Sequence, residues 1–421
     1  MLTFWREGSP EARRALLAAS LGWMLDSFDV MLYALVLASI IRELGMSTAT
    51  AGLLGSLTLL ASAAGGLLFG VLADRYGRTR ALVWSVLIYS VFTALCGVAQ
   101  SVTQLAVFRI CLGIGMGGEW ASGAALVSET WPAKHRGKAL GLMQSAWAIG
   151  YALAAIVTAL VLPRWGWRAV FFVGILPALF TLWVRRHVPE PALWKAARQG
   201  TGAGGTGGEG EAGWVAGVRA AFAAMFGAGR ARLTTVVILM NACTMYAWWG
   251  FNLWIPAYLS LPAERGGVGL SAGTMSGLIV AMQVGMWFGY VTFGFIGDAI
   301  GRKRAYVTYL LCAAGLVLLY ASTRNVMALL LLGPLVAFFG TGYFSGFGVV
   351  TAELYGTGIR ATAQGFTYNI GRIASAAAPF AVGSLAQTRG FGAAFATAAV
   401  AFVLAALAWA WIPETRGREL T

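Results

Sequence analysis

Charged side chains are scarce in this 421-residue chain, which limits the classes of protein to which it can belong. They make up 11% of the residues, whereas hydrophobic side chains make up 59%. In soluble domains roughly 25% of the residues are charged and roughly 45–50% are hydrophobic. The apolar residues also come in runs of about 20, the length that a helix needs to cross a hydrocarbon core of ~30 Å. The composition therefore excludes an ordinary soluble domain and predicts that the chain lies in a lipid bilayer.

Cysteine and histidine are also rare, with four and two copies, respectively. Cys96, Cys111, Cys243 and Cys312 all fall inside apolar runs and show no C-x-x-C spacing. Their placement predicts neither a disulfide framework nor a metal site. No nucleophile–base arrangement and no phosphate-binding glycine loop is recognisable. The sequence therefore predicts a protein that is not an enzyme and needs no cofactor.

Acidic residues are outnumbered by basic ones, 16 to 30, and the net charge is +14. When the apolar runs are interpreted as twelve helices, most Lys and Arg residues fall in the segments on the side of the N-terminus. This asymmetry follows the positive-inside rule and places both termini in the cytoplasm. The positive charge thus indicates topology and not a nucleic-acid partner. We expect a multi-pass protein of a bacterial-type inner (plasma) membrane.

The predicted membrane spans fall into two groups of six. The first span is Arg13–Ile41, and the remaining spans are 48–73, 81–99, 103–127, 139–162, 168–185, 232–259, 272–297, 305–321, 326–351, 361–387 and 392–412. Residues 186–231 separate the groups and contain the glycine-rich run Gly200–Gly213, which is typical of a flexible linker. The predicted organisation is therefore an N-terminal bundle (1–185), a cytoplasmic linker (186–231) and a C-terminal bundle (232–421).

One short charged stretch occurs twice, as GVLADRYGRTR at Gly70–Arg80 and as GFIGDAIGRKR at Gly294–Arg304. The second copy lies 224 residues after the first. This displacement, here called the repeat shift, also carries Pro189 to Pro413. Glu129, Arg136 and Gly141 recur after the same shift, as Glu353, Arg360 and Gly365. A constant offset at several distant places indicates a tandem duplication. Each copy lies between two apolar runs, so it is predicted to be a tight turn between two helices.

The first copy, G-x-x-x-D-R-x-G-R-x-R, resembles the signature loop of the major facilitator superfamily. The resemblance implies an all-α integral membrane protein with 12 transmembrane helices in two pseudo-symmetric six-helix bundles, and we expect a monomer. It also implies that charged residues around the two loops hold helix ends together in one of two access states. The second copy departs from the pattern at Ala299, where the first has Arg75. The gating residues implied are Asp74, Arg75, Arg78, Asp298, Arg302, Glu129, Arg136, Glu353 and Arg360.

Two aspartates, Asp26 and Asp29, lie three residues apart on one face of the predicted first helix. Asp29 is about 15 residues from the start of that helix, or ~22 Å along it, and therefore near the bilayer centre. An ionised carboxylate there costs at least ~2.5 kcal/mol, so it is expected to be protonated, paired or next to water. The repeat places Gly250 and Leu253 at the equivalent positions. We interpret both aspartates as proton carriers, with a structural ion pair or polar helix contact as the alternative.

Arg372, in the predicted eleventh span, also lies near the bilayer centre. Its guanidinium can bind a carboxylate through two parallel hydrogen bonds. Tyr368 lies one turn earlier on the same helix face, and Asn369 is close by. We expect this group to bind an anionic substrate. The alternative is a permanent ion pair with an aspartate of the first helix, and alternation between the two would couple substrate to proton.

The predicted fourth span contains Arg109 and Glu119, which are ~15 Å apart along the helix and cannot pair directly. Arg109 resembles the R-x-x-x-G element of the superfamily's fourth helix, which implies a role in proton coupling. Glu119 has no acidic counterpart in the second half. It is a candidate second protonation site, and a buried structural acid is an equally good interpretation.

The predicted seventh span is rich in amides and tryptophans. Asn241, Trp248 and Asn252 share one helix face and could line a cavity, with Trp249 beside them. Packing and interfacial anchoring are the alternative for any single tryptophan. Further substrate-binding candidates are Gln144, Gln283 and Tyr343.

The first half also resembles a narrower branch of the superfamily, through segments such as LGWMLDSFDVMLYALVL and RICLGIGMGGEW. The branch is that of sialate and monocarboxylate:proton symporters, and the D-x-F-D pair is similar to that of aromatic acid:proton symporters. The resemblance implies import of a small organic monocarboxylate with a proton, with lactate or pyruvate as the first hypothesis. Sialic acid or an aromatic acid is the second hypothesis. Proton-antiport efflux and a non-transporting membrane sensor are the competing classes.

Overall fold

The computed structural model describes residues 5, 7–190, 222–227, 229–356 and 359–416. All regular secondary structure in these ranges is helical. Of the predicted linker, 191–221 and residue 228 lie outside the described residues, and so does the run Gly200–Gly213. The described piece at 222–227 packs on the second half: Phe222 contacts Phe366, with ring centroids 4.7 Å apart, and the Met225 carbonyl accepts a hydrogen bond from Thr234 Oγ1.

The helices of the first half follow one another with short turns. They are α1 Pro10–Glu43, α2 Thr48–Tyr76, α3 Arg78–Cys96, α4 Val102–Thr130, α5 Ala133–Val173 and α6 Leu176–His187. The helices of the second half are α7 Ala231–Asn252, α8 Ile255–Ser260, α9 Ala272–Ile300, α10 Arg302–Ser322, α11 Val326–Thr341, α12 Phe344–Leu354, α13 Arg360–Ser375 and α14 Ala377–Ala408.

Several helices begin at a side chain that accepts a hydrogen bond from the first turn, and these caps recur after the repeat shift. Ser47 Oγ accepts from the Thr50 N–H of α2, and Ser271 Oγ accepts from the Thr274 N–H of α9. The capping Ser101 of α4 corresponds to the capping Asn325 of α11. Such caps satisfy backbone donors that have no partner within the helix. The duplication therefore extends to the start signals of the helices.

The helix breaks repeat as well, because six of the eight described glycines with positive φ form three pairs related by the repeat shift. Gly45 and Gly269 have φ of 63° and 81°, Gly77 and Gly301 have 116° and 99°, and Gly166 and Gly390 have 73° and 79°. Such φ values are favourable chiefly for glycine. Gly77 and Gly301 mark one end of the molecule, here called the motif end. Gly45 and Gly269 mark the opposite end, here called the distal end.

Ten described segments are long and apolar enough to cross a bilayer. Two of them, Lys138–Thr181 and Ala363–Ala408, continue past the left-handed Gly166 and Gly390, where the chain leaves helical geometry. The predicted spans 139–162 and 168–185 lie on either side of the first break. The all-helical fold is confirmed, whereas the count of twelve separate crossings stays a prediction that depends on these two breaks.

Three predicted spans of the second half are interrupted, which the hydropathy pattern did not indicate. Span 232–259 is divided between α7 and α8, span 326–351 between α11 and α12, and span 361–387 between α13 and α14. Proline explains two of these breaks. Pro256 lies in the first turn of α8 and Pro379 in the first turn of α14, where a missing N–H costs nothing.

The two halves meet closely toward the distal end. Thr48 Oγ1 of α2 donates to the Gly383 carbonyl of α14 at 2.8 Å, and the Phe380 N–H donates to Ser56 Oγ at 3.2 Å. A side chain at Gly52 would collide with the Pro379 carbonyl, since its Cβ would lie 2.2 Å from that oxygen. The backbones of α2 and α14 are therefore in contact, and this contact joins the halves on the distal side.

Candidate functional site

A small cavity of about 40 Å³ lies between the two halves. Both halves supply its walls: α1 and α5 contribute Trp23, Gln144 and Trp147, and α7, α9, α12 and α13 contribute Met245, Trp248, Trp249, Tyr290, Phe344, Tyr368 and Arg372. A molecule held there would touch both halves at once.

Arg372 is the cation of this cavity, and its side chain is only 5% exposed. Its guanidinium makes no hydrogen bond and no ion pair with any described residue, although Asp26 and Glu119 lie within electrostatic range. The permanent ion pair with a first-helix aspartate, considered from the sequence, is not formed in this structure. The guanidinium lines the cavity and pairs with no described residue, so it is available to an incoming anion.

Tryptophans form the walls around Arg372. The ring centroids of Trp23 and Trp147 are 4.7 Å apart, those of Trp147 and Trp248 are 5.7 Å apart, and those of Trp248 and Trp249 are 4.6 Å apart. The indole N–H groups of Trp23, Trp147 and Trp248 are buried and have no hydrogen-bond acceptor in the described part of the chain. The cavity therefore combines flat apolar surfaces with a surplus of hydrogen-bond donors.

Four of the substrate-binding residues predicted from the sequence line this cavity: Gln144, Trp249, Tyr368 and Arg372. The other five lie elsewhere and contact the protein itself. Asn369 Nδ2 donates to the Gly365 carbonyl of its own helix at 2.9 Å. Asn241 Nδ2 donates to the Thr367 carbonyl, and Asn252 Nδ2 donates to the Trp248 carbonyl. Tyr343 Oη donates to the Thr244 carbonyl. Gln283 is buried outside the cavity wall.

Several lining residues were not predicted from the sequence. Trp23 lies three residues before Asp26 and therefore on the same face of α1, a spacing that could have identified it. Tyr290 and Phe344 carry no such signal, because they are aromatic residues within strongly apolar runs. Their position in the cavity depends on how α9 and α12 pack, which the sequence pattern does not specify.

The acids of the first half form a buried group beside the cavity. Asp26, Asp29 and Glu119 are each at most 1% exposed. Among the described residues there is no hydrogen-bond partner for either carboxyl oxygen of Asp29, for either carboxyl oxygen of Glu119, or for one carboxyl oxygen of Asp26. Glu119 lies against α1, since a Cβ on Gly22 would be 2.5 Å from its Oε1. The structure thus brings together three of the residues predicted for proton coupling.

Arg109, the fourth of these residues, lies outside the cavity and toward the distal end of the acid group. Its guanidinium lies over the ring of Tyr33, 3.9 Å from the centroid, and its Nε donates to Thr58 Oγ1 at 3.0 Å. Stacking on an aromatic ring stabilises a buried cation. Arg109 and Asp29 both lie within electrostatic range of Cys96.

At the motif end, charged residues connect helix ends within each half. In the first half Arg78 Nη2 is 2.9 Å from Glu129 Oε1. In the second half Arg302 contacts Asp298 at 2.5 Å and Glu353 at 3.5 Å. Arg75 lies near the ring of Tyr76. The side chains of Asp74, Arg136 and Arg360 lie outside the described part of the structure.

The glutamate of each Pro-Glu pair accepts hydrogen bonds from the start of a helix. Glu190 accepts from the backbone N–H groups of Thr79 and Arg80 in α3, and Glu414 accepts from those of Arg302 and Lys303 in α10. A carboxylate at a helix N-terminus is favourable because it meets unpaired donors and the positive end of the helix dipole. The same carboxylate cap therefore begins α3 in the first half and α10 in the second half.

The Glu414 cap predicts a pH-dependent contribution to stability. Burial alone would raise the pKa of Glu414, but four backbone N–H donors outweigh it and hold the pKa below its ordinary value of 4.5. The cap therefore contributes its full stabilisation above pH 4.5. This contribution is lost as the pH falls through the pKa that Glu414 has in the folded state.

Glu414→Gln should lower Tm by roughly 1 °C at neutral pH and by less under acidic conditions. Glu264→Gln, which alters an exposed acid at the distal end, is the control, and an equal effect there would contradict the capping role.

Comparison with known proteins agrees with this architecture. A family model for the Major Facilitator Superfamily matches residues 19–282 and 259–421. The chain is 34% identical to a probable 4-methylmuconolactone transporter of Cupriavidus pinatubonensis, over 99% of this chain and 94% of that protein. It is 31% identical to a sialic acid transporter of Escherichia coli, over 96% of this chain and 94% of that protein. The crystal structure of a D-xylose-proton symporter superimposes with a TM-score of 0.76 at 21% identity, over 97% of this chain and 99% of that one.

Proposed function

Because this chain belongs to the Major Facilitator Superfamily, and is therefore a multi-pass membrane transporter, we propose that it carries a small organic acid across the membrane together with a proton. The observation that carries this proposal is the unpaired guanidinium of Arg372 in a cavity lined by both halves. A carboxylate on the substrate would complete that site through two parallel hydrogen bonds.

The walls of the cavity favour a planar aromatic or unsaturated carboxylate. Flat molecules can stack against Trp147 and Trp248, whereas lactate and pyruvate are too small to cover these rings. A polyhydroxylated acid such as sialic acid could accept hydrogen bonds from the indole donors, but its hydroxyl protons also need acceptors, and among the described polar lining residues only Gln144, Tyr290 and Tyr368 can accept. Aromatic and unsaturated acids therefore replace lactate and pyruvate as our first choice of substrate.

Proton coupling is assigned to the buried acids. An ionised carboxylate without hydrogen bonds is unfavourable in a low-dielectric interior, so Asp29, whose two oxygens accept no hydrogen bond here, can hold a proton in this state. Asp26 and Glu119 lie within range of Arg372, so their charge state can influence the binding of the substrate anion.

The motif-end contacts fit a mechanism in which each half moves as one piece. Arg78 binds Glu129, and Arg302 binds Glu353, inside their own halves. These pairs would keep the helices of each bundle together while the bundles, residues 1–185 and 232–421, rock about the cavity. In this proposal both termini and the linker 186–231 face the cytoplasm of a bacterial-type cell, and the transporter works as a monomer.

A binding panel tests the proposed substrate class. We expect benzoate and nicotinate to raise the Tm of the purified protein at concentrations at which lactate, pyruvate and sialic acid do not, because bound ligand stabilises the folded state. Trp248→Leu should weaken benzoate binding about fivefold, since aromatic contact contributes roughly 1 kcal/mol beyond buried area.

The control variant for this panel is Trp411→Leu, which removes an exposed tryptophan outside the cavity. Benzoate affinity should be unchanged in this control. Preferential stabilisation by lactate or sialic acid would refute the aromatic assignment while leaving acid transport intact.

A further inference from the structure

Tyr89 of α3 belongs to the buried acid group, although nothing in the sequence analysis singled it out. Its side chain is fully buried, and its hydroxyl has no hydrogen-bond partner in the described part of the chain. Asp26, Asp29 and Glu119 are the charged groups whose fields act on it. A buried hydroxyl and three buried carboxyls, all lacking partners, are thus gathered in one place between α1, α3 and α4.

Backbone contacts place Tyr89 between the levels of Glu119 and Asp29. The Tyr89 backbone packs directly on α4 at Gly115, one turn before Glu119, because a Cβ on Gly115 would lie 2.7 Å from the Tyr89 nitrogen. One turn further along α3, Thr93 lies next to Asp29: a Cβ on Gly174 would contact both Thr93 Cγ2 and Asp29 Oδ1. The Thr93 hydroxyl donates to the Tyr89 carbonyl at 2.8 Å and also lies close to the Asp29 carboxyl.

The four groups have no equivalents in the other half. The repeat shift carries Tyr89 to Ala313, Glu119 to Tyr343, and Asp26 and Asp29 to Gly250 and Leu253. The packing of α3 on α4 recurs in both halves as part of the duplicated scaffold. A tyrosine at position 89 is therefore not required by that scaffold, and its occurrence coincides with that of the three acids.

We propose, on the basis of the proposed proton-coupled transport, that Tyr89 is a positioning residue that links Glu119, Asp26 and Asp29 into one proton-sharing group. Like charges at close range cannot all be ionised in a buried site. A phenol hydroxyl both donates and accepts, so it can donate to an ionised carboxylate while it accepts from a protonated one. Arg372, which faces Asp26 and Glu119 from the cavity side, is the cation that biases the distribution of protons.

The transfer conserves atoms and charge. The Tyr89 hydroxyl makes no hydrogen bond with a described residue in this structure, so the step requires a rotation that brings it within hydrogen-bond distance of both acids. A protonated carboxyl of Glu119 then gives its proton to the Tyr89 oxygen while the Tyr89 hydroxyl proton passes to the Asp29 carboxylate. One O–H bond breaks at Glu119 and one forms at Asp29, and the tyrosine exchanges one O–H bond for another and stays neutral. No oxidant, metal or cofactor takes part in the step.

Tyr89→Phe tests this role, because it removes the hydroxyl and keeps the ring. In proteoliposomes the variant should bind nicotinate and exchange internal for external nicotinate as the wild type does. Uptake driven by a pH gradient should fall about tenfold, the factor that corresponds to ~1.4 kcal/mol of barrier, and the pH profile of uptake should shift. Tyr306→Phe, which removes a buried hydroxyl bonded to the Tyr343 carbonyl in the other half, is the control and should leave gradient-driven uptake unchanged.

Two results would overturn the inference. Gradient-driven uptake that is unchanged in Tyr89→Phe would show that the acids share protons without this hydroxyl. Equal losses of binding, exchange and gradient-driven uptake would show that Tyr89 has only a packing role. A wild-type protein that binds and exchanges nicotinate but moves no protons would instead refute the proposed proton coupling, and the wild-type measurement alone separates that outcome.

Discussion

Replacing Arg372 with alanine is expected to abolish detectable binding of carboxylate substrates. The cavity contains no second cation among its lining residues, so nothing else there can neutralise the anion. Truncating one member of a buried charge pair costs about 2–5 kcal/mol, which corresponds to about thirtyfold or more in Kd. Arg372→Lys should recover only part of the affinity, because an ammonium group cannot form two parallel hydrogen bonds to one carboxylate. Isothermal titration with benzoate and nicotinate measures both effects.

Asn369→Ala is the matched control for this experiment. It alters the same helix, three residues before Arg372, but the Asn369 amide donates to the Gly365 carbonyl and does not line the cavity. Its affinity for both ligands should remain close to that of the wild type. Normal binding by Arg372→Ala would mean that the guanidinium has a structural role, as an ion pair formed in another state of the transport cycle.

Asp29→Asn should separate binding from proton coupling. The amide imitates the protonated acid permanently, so substrate binding and exchange across the membrane should persist. Accumulation against a concentration gradient should be lost, because the carrier can no longer release a proton at this position. Uptake of labelled nicotinate into proteoliposomes, measured with and without an imposed pH gradient, records both properties.

Glu264→Gln, the same kind of change at an exposed acid on the distal side, should leave accumulation intact. Asp26→Asn and Glu119→Gln complete the series, because both acids lie in the same buried group as Asp29. If Asp29→Asn still concentrates nicotinate and one of these two variants does not, the proton site is at that other acid.

The sequence predicted the fold because the same signals, long apolar runs and the charged loop motif, occur in both halves of the chain. Apolar runs of membrane-spanning length and a constant offset between the two halves specify an all-helical, duplicated membrane protein, and both properties are found in the structure. Buried polar residues without a counterpart in the other repeat were also informative. Asp26, Asp29, Glu119 and Arg372 were identified by that criterion, and all four lie in or beside the cavity.

The remaining features depend on packing that hydropathy does not encode. Asn241 and Asn252 share a helix face with Trp248, but their amides bond to nearby carbonyls and only the tryptophan reaches the cavity. Tyr89 was missed because a single tyrosine in an apolar helix is usually a packing residue.

Proton movement that accompanies substrate movement is the most direct test of the account. Wild-type protein is reconstituted with a pH-sensitive dye in the lumen, and nicotinate is added outside without an imposed gradient. Because substrate and proton are proposed to enter together, we expect the lumen to acidify faster than in protein-free liposomes and in liposomes with Arg372→Ala. Nicotinate entry with no change in luminal pH beyond these controls, or with a rise in luminal pH, would contradict proton symport.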